Sequence, residues 1–248
     1  MTAGTLVSIA ETWYVGYLGT MSLAGIALVF PCIMLQQMLS AGSMGGGISS
    51  AVSRALGAND LGKANALVLH AALICLGMGL FFTFVFIVWG EPIFRLLGGQ
   101  GEALAQSLAY ANVAFWGAAS IWLTNGFASV IRGSGNMKTP SLVLLIACVA
   151  QVTLSGVLGL GWGPIPSFGM AGIAMGYVIA FSASTLYLFA YLRSSRSMLR
   201  LSFKSPLSKP LFMDILKVGA MSSLSTLQTV ATILILTRLI SSFGPEAL

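Results

Sequence analysis

The chain carries only six acids, one histidine and three cysteines. Five of the acids (Asp60, Glu91, Glu102, Asp214 and Glu246) lie in or beside stretches that read as loops. Glu11 alone sits inside an apolar run, TLVSIAETWYVGYLGTMSLAG, residues 5–25. A carboxylate placed in hydrocarbon costs roughly 2.5–3.5 kcal/mol on insertion scales, so such residues are rare and face cavities. A group of that kind can exchange a proton for a cation, because burial favours the neutral acid and a nearby cation favours the carboxylate. The plain alternative is a hydrated Glu11 at the start of a soluble segment, which fits poorly with the apolar sequence that follows. His70, the only histidine, is read as an interhelical hydrogen-bonding group rather than a relay, since no second histidine or acid lies near it in sequence. Cys32, Cys75 and Cys148 stand singly in apolar runs, with neither metal-ligand spacing nor a disulfide framework. No GxSxG, paired aspartates or second histidine supports an enzyme, and no catalytic residue or resident cofactor is expected. Gly57, Gly62 and Lys63 match the first part of a phosphate loop, but Ala64 stands where the hydroxyl belongs and no strand precedes it.

The elements that must position Glu11 are membrane helices. The sequence is 57% hydrophobic and 7% charged, where soluble domains carry about 25% charged residues. Several apolar runs reach the roughly 20 residues a crossing helix needs, and nothing alternates as barrel strands do. The spans fall at about 1–15, 21–53, 64–89, 103–130, 141–160, 170–192 and 218–240. Gly16 and Gly19 read as a tight turn after the first. Pro31 should kink the second. Gln36 and Gln37 place amides at membrane depth, where they need partners or water, and Gly42, Gly45, Gly46 and Gly47 offer a face for close packing. Asn125 reads as a helix–helix hydrogen-bonding amide that could also line a cavity. Gln151, Thr153 and Ser155 lie in the outer half of the fifth span. The stretch 91–102 reads as a mixed-charge loop.

The net charge of +6 is a topology signal, not a nucleic-acid signal. Loops 2–3, 4–5 and 6–7 hold Arg54, Lys63, Arg132, Lys138 and the run Arg193, Arg196, Arg200, Lys204, Lys209 and Lys217. The positive-inside rule places those loops, and the amino terminus, in the cytoplasm. Residues 193–217, with Asp214 as their one acid, read as a basic connector that meets anionic headgroups. A shift of 225 residues lays ETWYVGYLGTMSL (11–23) over LTRLISSFGPEAL (236–248) with three identities. Transporters are often two similar halves with the site between them. The expectation is an amino-terminal lobe over 1–200, the connector over 193–217, and a truncated first helix of a second lobe over 218–248. At 1.5 Å per residue, Glu11 lies roughly 8–12 Å below the outer surface and Arg238 about 9 Å below its own turn, so the two could pair.

The stretches ETWYVGYLGTMSLAGIALVFP (11–31), SAGSMGGGISSAVSRALGAND (40–60), IRGSGNMKTP (131–140), FGMAGIAMGYVIA (168–180) and VGAMSSLSTLQ (218–228) resemble the multidrug and toxin extrusion (MATE) family. The resemblance covers essentially the whole chain, and RGxGxxKxP and ALGAND are its most specific parts. It implies an all-α integral membrane antiporter of two six-helix bundles that expels cationic or amphipathic drugs in exchange for sodium ions or protons. The chain then corresponds to one lobe plus a helix, lacks its second lobe as partner, and belongs in a bacterial cytoplasmic membrane. By the same resemblance Glu11 stands where the family has an aspartate, Gln151 and Ser155 stand in the frame of an Asn-x-x-x-Asp pair, and Tyr177 replaces a threonine. Gln36 and Asn125 complete the expected cavity lining. A lipid-linked sugar flippase is the sister alternative, disfavoured because the first six spans carry no cation; a channel or membrane enzyme is the alternative from another class.

Overall fold

The computed structural model describes residues 2–162, 166–203 and 206–241, and within these the side chains at 2, 3, 237, 238, 240 and 241 are left aside. The expected role of Arg238 therefore falls outside the described side chains, and most of the repeat segment, 242–248, outside the described residues. The described residues form α1 (Thr2–Leu18), α2 (Thr20–Gln37), a π-helical segment (Met38–Met44), α3 (Gly45–Gly57), α4 (Leu61–Leu96), α5 (Gly101–Trp116), α6 (Ala118–Gly133), α7 (Lys138–Leu160), α8 (Gly169–Arg193) and α9 (Lys209–Ser241).

Short connections force neighbouring helices antiparallel. The turn between α1 and α2 is made by Gly19 alone, at φ 112°, a value that suits glycine. Gly16 remains helical and accepts the Gly19 N–H at 3.2 Å, so the expected two-glycine turn reduces to one residue. Helix then continues without interruption from Thr20 to Gly57. Pro31 lies inside α2. The change in backbone winding comes further on, where the π-helical segment precedes the glycines at 45–47.

α5 and α6 together make one pass, interrupted at Gly117. Among the described residues, five stretches are long and apolar enough to cross a membrane: 20–57, 61–96, 138–160, 169–193 and 209–236. Aromatic packing centres the bundle. Phe86 stacks on Phe115 with centroids 3.7 Å apart, and Phe82 lies against fully buried Trp122. The outward faces carry Phe81, Phe84, Leu142, Ile146 and Leu186, as helices in lipid do.

Two stretches expected to be loop are helical. Glu91–Leu96 extends α4 through Pro92, supported by the Glu91–Arg95 pair at 2.7 Å, one turn apart. Lys209–Lys217 forms the first turns of α9 rather than connector. Pro210 falls in the first turn of α9, where a missing N–H costs nothing. Asp214 reaches Lys63 at 2.7 Å. The connector is pinned, not loose: Leu199 and Leu201 are buried, and Arg200 N–H donates to Asn65 Oδ1 at 2.7 Å.

His70 does bond across elements, but to the connector. Its Nε2 accepts the Ser208 N–H at 3.0 Å, so Nδ1 carries the proton donated to Ala66 O at 2.8 Å. α9 leans on the π-helical segment and α3. Gly47 faces Gly219 so closely that a Cβ there would meet backbone at 2.6–2.9 Å, and Ser43 and Thr226 share a hydrogen bond of 2.9 Å.

Candidate functional site

Glu11 lies two turns before the end of α1, half-buried against α7. Its Oε1 accepts Gln151 Nε2–H at 2.8 Å and Ser155 Oγ–H at 3.3 Å. Gln151 and Ser155 are one turn apart on α7, so one face of that helix supplies both donors. No hydrogen bond reaches Oε2 from the described residues.

Ser155 has a second acceptor, the Ile173 carbonyl at 2.9 Å. A hydroxyl carries one proton, so it serves the carboxylate or the carbonyl at any instant. A charged Glu11 draws that proton; a neutral Glu11 releases it to Ile173. The arrangement therefore suits both forms of the acid without moving a helix.

What places Ser155 there is the closeness of α8. A Cβ on Gly176 would lie 2.4 Å from Ser155 N and 2.5 Å from its Oγ, and one on Gly172 would lie 2.2 Å from Leu158 O. Small residues let backbones meet in this way. Tyr14, one turn beyond Glu11 on α1, packs edge-on against Trp162 at 5.5 Å. Tyr110 on α5 and Tyr177 on α8 are buried within electrostatic range of Glu11.

A second polar cluster occupies the same interior. Gln37 Nε2–H donates to Tyr177 Oη at 2.9 Å. Asn125 Nδ2 donates to Gln37 Oε1 at 3.1 Å and to Ser40 Oγ at 2.8 Å. Ser129 Oγ donates to Asn125 O at 2.7 Å and accepts from Arg132 Nη2 at 2.9 Å. The bonds run from α8 through α2 to α6 and end near the basic face.

The structure thus brings Glu11, Gln151 and Ser155 into direct contact and places Asn125 and Tyr177 together around Gln37. It does not bring Gln36 to either cluster. Gln36 is fully buried, and neither its Oε1 nor its Nε2 has a partner among the described residues. Gln37, Ser40 and Tyr110 were missed as site residues. The Gln36–Gln37 pair was visible in the sequence, but which of the two faces α6 depends on the backbone winding beside the π-helical segment.

A separate cleft of about 960 Å³ opens between α1, α2 and α9. Thr5, Ser8 and Thr12 give it one hydroxyl-bearing wall; Ala27, Phe30 and Ile233 line the rest. The Ser8 and Thr12 hydroxyls donate to carbonyls of their own helix at 3.2 and 2.8 Å, which leaves them free to accept. Glu11 is not part of this wall; it sits beside it on α1, toward α7. Among the described residues no group of three or more His, Cys, Asp or Glu gathers as a metal site.

The MatE family model matches residues 1–157. The probable multidrug resistance protein YoeA of Bacillus subtilis is 25% identical over 237 residues, which cover 93% of this chain and 50% of that protein. The multidrug export protein MepA of Staphylococcus aureus is 26% identical, with 100% of this chain and 55% of MepA covered. A solved structure described as the inward-facing conformation of a multidrug resistance MATE family transporter of the MOP superfamily superposes with a TM-score of 0.90 at 28% identity. It covers 98% of this chain and 55% of that one. The chain spans about half the length of these relatives. With a family match over 1–157 and an all-helical fold shared with a solved MATE transporter, the chain belongs to the MatE family.

Proposed function

We propose that this lobe takes part in secondary active efflux of drug-like or cationic small molecules, driven by antiport of sodium ions or protons, with Glu11 as the coupling carboxylate. The observation that carries the reading is the asymmetry of that side chain. Oε1 is held by Gln151 and Ser155, while Oε2 accepts no bond from the described residues. A fixed carboxylate with one open oxygen can take up a proton or join hard oxygen ligands around a cation. Ser155, with its choice of acceptors, steadies the acid in either state. Gln151 completes the hold on Oε1, and Tyr177 and Asn125 form a neighbouring neutral cluster around Gln37.

Relatives named for multidrug resistance and export support drug-like substrates. The α1–α2–α9 cleft, apolar with one hydroxyl wall, suits an amphipathic cation. A second six-helix lobe is the proposed partner across it, since the curated relatives are about twice as long. The basic loops argue for a cytoplasmic amino terminus and a bacterial cytoplasmic membrane.

The test is flux in proteoliposomes, with a fluorescent cationic dye and imposed sodium or proton gradients. Dye movement should follow one gradient and stop when that gradient is collapsed. Translocation of a lipid-linked sugar without dye movement would favour the flippase alternative. Dye movement indifferent to both gradients would overturn coupling.

A further inference from the structure

A groove of about 350 Å³ runs between α7 and α8, away from the Glu11 site. Its floor is aliphatic, with Leu142, Ile146 and Ala150 on one wall and Ala183 on the other; Tyr187 and Lys138 stand at one end. From Lys138 to Ala150 the groove extends about 18 Å at 1.5 Å per residue. One leaflet of a bilayer's hydrocarbon core is about 15 Å thick, half of the roughly 30 Å total. The groove therefore has the length of one acyl chain, and it begins at the basic end of the bundle.

That end is built for negative charge. Asn136, just before α7, donates to Tyr191 Oη at 3.1 Å, and Tyr191 donates to Arg196 O at 3.4 Å. These bonds draw the start of α7 and the segment after α8 together, so Arg196 comes to the Lys138 end of the groove. Lys138 and Arg196 are both exposed, whereas Arg193 turns away over the Phe189 ring at 5.8 Å. Among the described residues neither Lys138 nor Arg196 is in a salt bridge; the acids at this end are engaged elsewhere, Asp214 with Lys63 and Asp60 capping α4. The amino-terminal end of α7, positive by its dipole, points the same way.

We propose that the α7–α8 groove is a binding site for an anionic phospholipid, with one acyl chain between the helices and the phosphate at Lys138 and Arg196. Charge complementarity selects the headgroup, and the leaflet-length groove selects a lipid over a soluble anion. Basic pockets between membrane helices bind acidic headgroups in this manner.

Native mass spectrometry of the detergent-purified protein tests the site, with phosphatidylglycerol and phosphatidylcholine of identical chains as probes. Phosphatidylglycerol should be retained several-fold over phosphatidylcholine. Lys138→Gln should lower its retention about fivefold, while Lys138→Arg keeps it and Arg95→Gln, at the opposite end, leaves it unchanged. Ala183→Phe fills the groove from an exposed position and should release the lipid without lowering the unfolding temperature. Equal retention of the two lipids would overturn the proposal. So would full phosphatidylglycerol retention in Ala183→Phe, which would place the lipid elsewhere.

Discussion

Two polar clusters share the interior of this bundle, and they are bonded in different ways. Around Asn125 the amides and hydroxyls satisfy one another: Gln37 bridges Tyr177 and Asn125, and Ser40 takes the second Asn125 bond. No member of that core carries a charge, so the cluster acts as a pin between α2, α6 and α8. Around Glu11 the bonds converge on one oxygen, and the serine that makes the weaker one has an alternative acceptor. A satisfied network rigidifies, whereas a charge with an open oxygen can change its state. On the proposed reading, the contrast separates a structural role from a switching one inside a single six-helix bundle.

The largest structural effect should come from the residue that serves both clusters. Gly176 abuts Ser155 and immediately precedes Tyr177. Gly176→Ala forces α7 and α8 apart and should cost about 3 kcal/mol by overpacking, seen as a large fall in unfolding temperature in detergent. If stability were unchanged, the close approach of the two helices would not matter to either cluster.

Next comes the pin. Asn125→Leu removes two hydrogen bonds and leaves Gln37 Oε1 without its donor. A loss of about 2 kcal/mol is expected, with ion-driven transport reduced only in proportion to the protein left folded. A selective loss of transport at full stability would move Asn125 from the pinning group to the switching group.

Smallest is Gln36→Leu. Its amide is buried without a partner among the described residues, so an apolar replacement should be neutral or stabilising by about 1 kcal/mol. A clear destabilisation, measured by the same thermal assay, would mean that Gln36 belongs to a polar network after all.

These residues also show how far the sequence could be read. Glu11 was legible because an acid in an apolar run has few explanations. Gln151 and Ser155 were named through the family resemblance, and they are the two side chains that hold Glu11. The Gln36–Gln37 choice was not legible. Pro31, the π-helical winding at 38–44 and the glycines at 45–47 interrupt the simple 3.6-residue phase, so facing cannot be extrapolated along that helix. The start of α9 was misplaced because Lys209, Asp214 and Lys217 look like connector. In the fold Asp214 meets Lys63, and the neighbouring Ile215 is buried. Glu91–Leu96 was misplaced for a similar reason, since its charges pair along the helix they extend.

The central claim is that Glu11 switches while the Asn125 cluster pins, and Glu11→Gln tests it most directly. The amide nearly keeps the shape of the acid but can neither carry charge nor trade a proton. In proteoliposomes, ion-driven dye export should fall to background across the pH range in which the parent is active, with the unfolding temperature and dye binding retained. Export at the parent's rate would contradict the account.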